Sequence, residues 1–180
     1  MLPAKLSSGC MGFEAFLASL VQTYGLPGFF LASLIANATI IFPLPIEILI
    51  FTSAPLFNFN NLGVFSPLLL GLFAGVGAGL GECTGYLLGK ASSVGLEKFD
   101  KPHLRKILGM TKTIKEKGAP IIFLGALLPL GFDVIGIAAG LISYDFRKFA
   151  ALAISGKTIR YIAIAYAGYY SVTLLKGLLF

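Results

Sequence analysis

Five charged residues stand where a chain this apolar should carry none. Glu47 follows Pro43 and Pro45, Asp133 follows Pro129 and Gly131, and each acid lies four residues after a proline inside a long apolar stretch. Glu82, Lys157 and Arg160 lie in two further apolar stretches. An ionised side chain at bilayer depth costs about 3 kcal/mol or more, so each of these must be paired, protonated or open to water. Such a set can move protons or ions and can hold an anion. Burial raises a carboxylate's pKa and a nearby cation lowers it, so a group held between those pressures can switch.

The two proline-associated acids occupy related stretches, 43–49 and 129–135, 86 positions apart, each reading proline, leucine, breaker, apolar, acid. In a chain that is 57% hydrophobic the aliphatic matches mean little. The breakers and the acid carry the signal, because five acids lie outside segment 90–117 and two of those five share this context. The pattern implies an internal duplication with one buried carboxylate per half.

The elements that position these residues follow from hydropathy. A mean hydropathy of +0.88 with 12% charged residues describes an integral membrane protein of one domain, 1–180, rather than a soluble fold. The start of the chain lacks the basic region and cleavage site of a signal peptide and is expected to stay in the mature protein. Cys10 and Cys83 are too few for a disulfide framework, and Cys83 reads as a small buried hydrophobe. The net charge of +6 does not point to nucleic acid, because eight of the fourteen bases are concentrated in residues 90–117. By the positive-inside rule that loop is cytoplasmic. Within it Leu104, Ile107, Leu108 and Ile114 recur at helical spacing, which fits either an amphipathic helix on anionic headgroups or a solvated linker helix. His103, the one histidine, reads as an exposed bystander.

Orientation propagates from the loop. Residues 68–89 have the length to cross the bilayer and end at Lys90, so 54–67, with Asn58, Asn60 and Asn61, is an exterior connection. Pro43 and Pro45 remove backbone donors within 26–57, which makes that segment a re-entrant hairpin from outside. Residues 119–142, broken at Pro129 and Gly131 and followed by Arg147 and Lys148, form a second hairpin from the cytoplasm. Residues 149–170 are the second span, and 13–24 is an interfacial helix with Glu14 and Gln22 toward water. The fold class is therefore all-α, an inverted repeat of hairpin and span, multi-pass in the plasma membrane. The spans also share Gly81-Glu82 with Tyr86 and Gly156-Lys157 with Tyr161, an acid exchanged for a base, so Glu82 should pair with Lys157 or Arg160. Glycines every fourth residue, Gly71, Gly75 and Gly79, allow close helix approach.

The run Phe42-Pro43-Leu44-Pro45-Ile46-Glu47, the segment from Gly81 to Gly89, and Gly125 through Pro129 to Gly140, with Phe149 and Gly156 beyond, resemble the DedA family, also called the VTT or SNARE-associated Golgi domain family. The resemblance covers about residues 24–170. It implies two facing re-entrant hairpins and movement of polyprenyl phosphates or phospholipids between leaflets, often with dependence on the proton gradient, with acids at positions matching Glu47 and Glu82. Bacterial relatives commonly place two arginines in the second hairpin. Here Ala126 and Phe132 stand at those positions, with Asp133 alongside, which marks a divergent branch.

The expected function is translocation of a lipid by its phosphate headgroup, with Glu47, Asp133 and Glu82 as proton-coupling groups and Lys157 and Arg160 as headgroup or ion-pair partners. Two other classes stay open: a small secondary transporter exchanging protons or sodium for a soluble ion, and a non-transporting membrane scaffold. No metal-ligand cluster, nucleophile motif or phosphate-binding glycine loop is legible, so neither enzyme activity, a cofactor nor a metal is expected. The partners are the membrane and a lipid, with room for a homo-oligomer.

Overall fold

The structure is a computed structural model that describes residues 10–39, 46–56, 62–91, 101–128 and 131–179. Pro43, Pro45 and Pro129 lie outside the described residues, as do 57–61, with Asn58, Asn60 and Asn61, and the side chains of Glu14, Leu104 and His103. All described elements are helical: α1 (Cys10–Tyr24), α2 (Leu26–Ala38), α3 (Ile46–Ser53), α4 (Ser66–Lys90, entered through the 3-10 turn Gly63–Phe65), α5 (Lys101–Lys117), α6 (Ala119–Leu127), α7 (Phe132–Leu141) and α8 (Phe146–Leu179).

Two glycines set the breaks before α2 and α6. Gly25 (φ 61°, ψ −126°) and Gly118 (φ 55°, ψ −124°) adopt nearly one conformation, in a region that a Cβ disfavours. Each donates its N–H back to the helix it ends, Gly25 to the Val21 carbonyl at 2.9 Å and Gly118 to the Ile114 carbonyl at 2.8 Å. Each is followed by a proline at the second helical position, Pro27 and Pro120, where a missing N–H costs nothing.

Lengths then separate the helices into two kinds. At 1.5 Å per residue α2, α3, α6 and α7 rise about 20 Å or less, short of the roughly 30 Å hydrocarbon layer. Gly63–Lys90 has both the length and the apolar character to cross. Helix α8 has the length but carries Lys157 and Arg160, and it extends beyond the 149–170 expected from hydropathy, from Phe146 to Leu179.

The antiparallel helices α4 and α8 cross at the centre. Gly71, Gly75 and Gly79 face the backbones of Ile162, Thr158 and Ile154 so closely that a Cβ on any of them would collide. Around this crossing the partners match in pairs. Helix α2 packs on α4, with Gly81 against the Leu34 carbonyl, and α6 packs on α8, with Gly156 against the Phe123 carbonyl. Helix α3 packs on α8 and α7 packs on α4. Helix α1 rests on α2 through the buried Leu17 and Val21, and α5 rests on α6 and α7 through the buried Ile107 and Ile114. Leu108 does not join that apolar stripe as its spacing suggested. It is 54% exposed, because it lies about 100° around the helix from Ile107.

Candidate functional site

The five charges expected within the membrane segments meet along α8. Lys157 Nζ lies 2.6 Å from Glu82 Oε1 of α4, and Arg160 Nη2 lies 2.8 Å from Glu47 Oε1 of α3. Glu82 and Lys157 stand more than a turn apart in the register that the glycine contacts set. Helical side chains lean toward their own N-termini, so on antiparallel helices these two converge.

The two pairs differ in surroundings. The Glu82 and Lys157 side chains are 5% and 6% exposed, whereas Glu47 and Arg160 are 30% and 16% exposed. The first pair is enclosed by protein. Lys157 also donates to Asn37 Oδ1 at 2.9 Å, and its Nζ stands 5.7 Å from the centroid of the Phe132 ring. The second pair opens to the surroundings. Arg160 there spans both halves of the chain, because Nη1 donates to the Leu128 carbonyl, just past the end of α6, at 3.3 Å.

Glu47 and Asp133 occupy the same place in their helices, the second residue of α3 and of α7. A first-turn acid faces unsatisfied backbone N–H groups and the positive end of the helix dipole. Asp133 makes no ion pair among the described residues. It does stand within electrostatic reach of Lys157 and Glu82. Of the residues expected at the site, Glu82 and Lys157 come together, Glu47 and Arg160 come together, and Asp133 stands beside the first pair. Gly131 is exposed and caps the start of α7, where its carbonyl accepts from the Val134 N–H at 3.2 Å.

Three participants were not expected at the site, although Tyr161 stood out in the pattern that the two spans share. Asn37 extends the enclosed pair to Tyr161: its Oδ1 accepts from Lys157 while its Nδ2 donates to Tyr161 Oη at 3.3 Å and to the Ser33 carbonyl at 2.8 Å. Tyr161, fully buried, lies on α8 within electrostatic reach of Glu47, Arg160 and Glu82. The Leu128 carbonyl, freed by the break after α6, is the third. For Asn37 the available signal was an asparagine in an apolar helix, four residues after Ser33. Among the described residues no three His, Cys, Asp or Glu side chains gather as metal ligands. Cys83 is buried and free, its thiol 3.5 Å from the Gly79 carbonyl.

The residues that build both ion pairs lie, Asn37 apart, within 42–170, and the VTT domain family matches that segment. The chain belongs to the VTT domain family. Neither the curated proteins nor the solved structures contain a significant match. As a VTT domain protein it is a membrane protein, from a family with transport and lipid-related roles. At the two positions where the resemblance leads one to look for arginines, this VTT domain places Ala126 against Gly156 and Phe132 beneath Lys157. The cations of this site come from α8 instead.

Proposed function

We propose that this VTT domain moves a lipid between leaflets by its phosphate headgroup, with protonation of a carboxylate as the coupling step. The observation that carries the reading is the partly exposed Arg160, held at once by Glu47 of α3 and by the carbonyl just past the end of α6. Helices α2 and α3, and α6 and α7, form two re-entrant hairpins in this reading. They are too short to cross, the α4 and α8 packing pairs match, and Gly25 and Gly118 repeat one turn, as in an inverted repeat. The inner ends of α3 and α7 then face the bilayer centre with free N–H groups and suit an anion.

A guanidinium engaged by Glu47 cannot also take a phosphate at full strength. When the Glu47 carboxylate accepts a proton, the ion pair loses its charge attraction and Arg160 turns its donors to phosphate oxygens in a forked contact. Loss of the proton on the other side restores the pair and expels the headgroup. Glu82 and Lys157, enclosed and hydrogen-bonded, hold α4 to α8 while this occurs. Asp133 supplies the extra negative charge: three acids face two bases, so an added proton or cation balances the site. No enzyme chemistry and no cofactor enter this reading, and the protein acts as a multi-pass component of the plasma membrane.

The test is leaflet exchange in liposomes with labelled phospholipids and polyprenyl phosphate, with and without a pH gradient. Parent protein should move at least one phosphate lipid, and Arg160→Gln should abolish the movement while the fold survives. Flux of a soluble ion without lipid exchange would replace this reading by a small secondary transporter. Neither flux would leave a membrane scaffold.

A further inference from the structure

Helices α1 and α5 occupy matching places and differ in charge. Each ends on the same glycine turn, hands over to a short apolar helix, and presses aliphatic side chains four and eight positions before that glycine into the protein: Val21 and Leu17 in α1, Ile114 and Met110 in α5. The fold thus asks the same of both. Yet α1 contains one acid and no base, while α5 contains six bases and one acid. The bases of α5 therefore answer to something outside the fold.

The face that α5 turns outward shows what that is. Lys106, Lys112, Lys115 and Lys117 are exposed, and Leu108 stands exposed between Lys112 and Lys115 on the side away from Ile107 and Ile114. Exposed Lys90, Arg147 and Lys148 share this end of the bundle. Gly140 at the end of α7 meets the Lys90 backbone, and the Tyr86 ring near the end of α4 packs at a tilt against Phe146 and Phe149 at the start of α8. Against these seven cations, among the described residues the same surface exposes Glu116 and Asp145.

We propose that the outer face of α5 docks on the anionic surface of a bilayer. Leu108 enters the boundary between headgroups and acyl chains, and Lys112 and Lys115, which flank it with their stems lying flat, reach the phosphates of acidic phospholipids. Because Ile107 and Ile114 bolt α5 to α6 and α7, the docked helix fixes the second half of the protein to the leaflet with the larger negative charge. This inference does not depend on lipid translocation.

The test uses the full chain in nanodiscs, with a polarity-sensitive fluorophore on Leu108→Cys in a background carrying Cys10→Ser and Cys83→Ala. In phosphatidylcholine mixed with phosphatidylglycerol the emission should shift to the blue relative to phosphatidylcholine mixed with neutral phosphatidylethanolamine and be quenched by nitroxide lipids. High salt should reverse both, and Lys112→Gln and Lys115→Gln together should reduce docking by roughly fivefold per lysine. Unlabelled parent protein gives a second reading, slower amide exchange along α5 in the anionic nanodiscs. Equal, wet emission with equal exchange in both lipid mixtures would show a solvated face and overturn the proposal. A blue shift indifferent to lipid charge and salt would overturn it as well, since apolar contact alone would then account for docking.

Discussion

Arg160 and Glu47 meet at 2.8 Å although 113 residues separate them, and the same guanidinium donates at 3.3 Å to the Leu128 carbonyl. One side chain of α8 thereby touches the start of α3 and the end of α6. The enclosed pair, Lys157 with Glu82, lies less than one turn away along α8. The two pairs differ in solvation, and this yields measurable consequences.

Breaking the enclosed pair from one side should cost more than removing it whole. Glu82→Gln leaves Lys157 charged in a dry site and should destabilise by about 3–5 kcal/mol, whereas the double change with Lys157→Gln should recover most of that loss. Thermal unfolding in detergent compares them. Equal melting of the single and double variants would contradict the pairing.

The open pair should behave in the opposite sense. Glu47→Gln keeps a hydrogen-bond acceptor in a partly exposed position, so its stability should stay within about 1 kcal/mol of the parent. Its leaflet exchange should lose the response to an imposed pH gradient, and Asp133→Asn should do the same. Exchange rates that follow the gradient equally in parent and both variants would reduce these acids to structural groups.

Asn37 should matter more than its neutral side chain suggests. Asn37→Ala withdraws an acceptor from Lys157 and a donor from Tyr161 within a buried network, and should cost about 1–3 kcal/mol. Added to Glu82→Gln, its effect should fall well short of additive, because both changes act on Lys157. A double-mutant cycle on melting provides the check.

Two glycine substitutions should have opposite signs. Gly75→Ala drives a methyl into the Thr158 backbone and should destabilise by about 2 kcal/mol. Gly109→Ala, on α5 with nothing within 4 Å, should stabilise by about 1 kcal/mol through helix propensity. Unfolding of the two variants side by side decides the matter.

Local chemistry made much of this legible in the chain itself. Apolar runs, proline and glycine breaks and the misplaced charges are properties of neighbouring residues, so the sequence alone located the helices around 26–57, 68–89, 119–142 and 149–170 and singled out Glu47, Glu82, Asp133, Lys157 and Arg160. It also carried the family motifs. The match between α1 and α5 was not legible, because no constant period links the halves: Gly25 and Gly118 are 93 residues apart, Glu47 and Asp133 86, Gly81 and Gly156 75. Only the turn geometry aligns them. The choice of partners also belonged to the tertiary structure. Glycine rows fix the register of α4 on α8, and that register, with the lean of helical side chains, delivers Lys157 to Glu82 and leaves Arg160 for Glu47. Asn37 and Tyr161 join for the same reason, since a neutral polar side chain acquires its role from what packing places within hydrogen-bond distance.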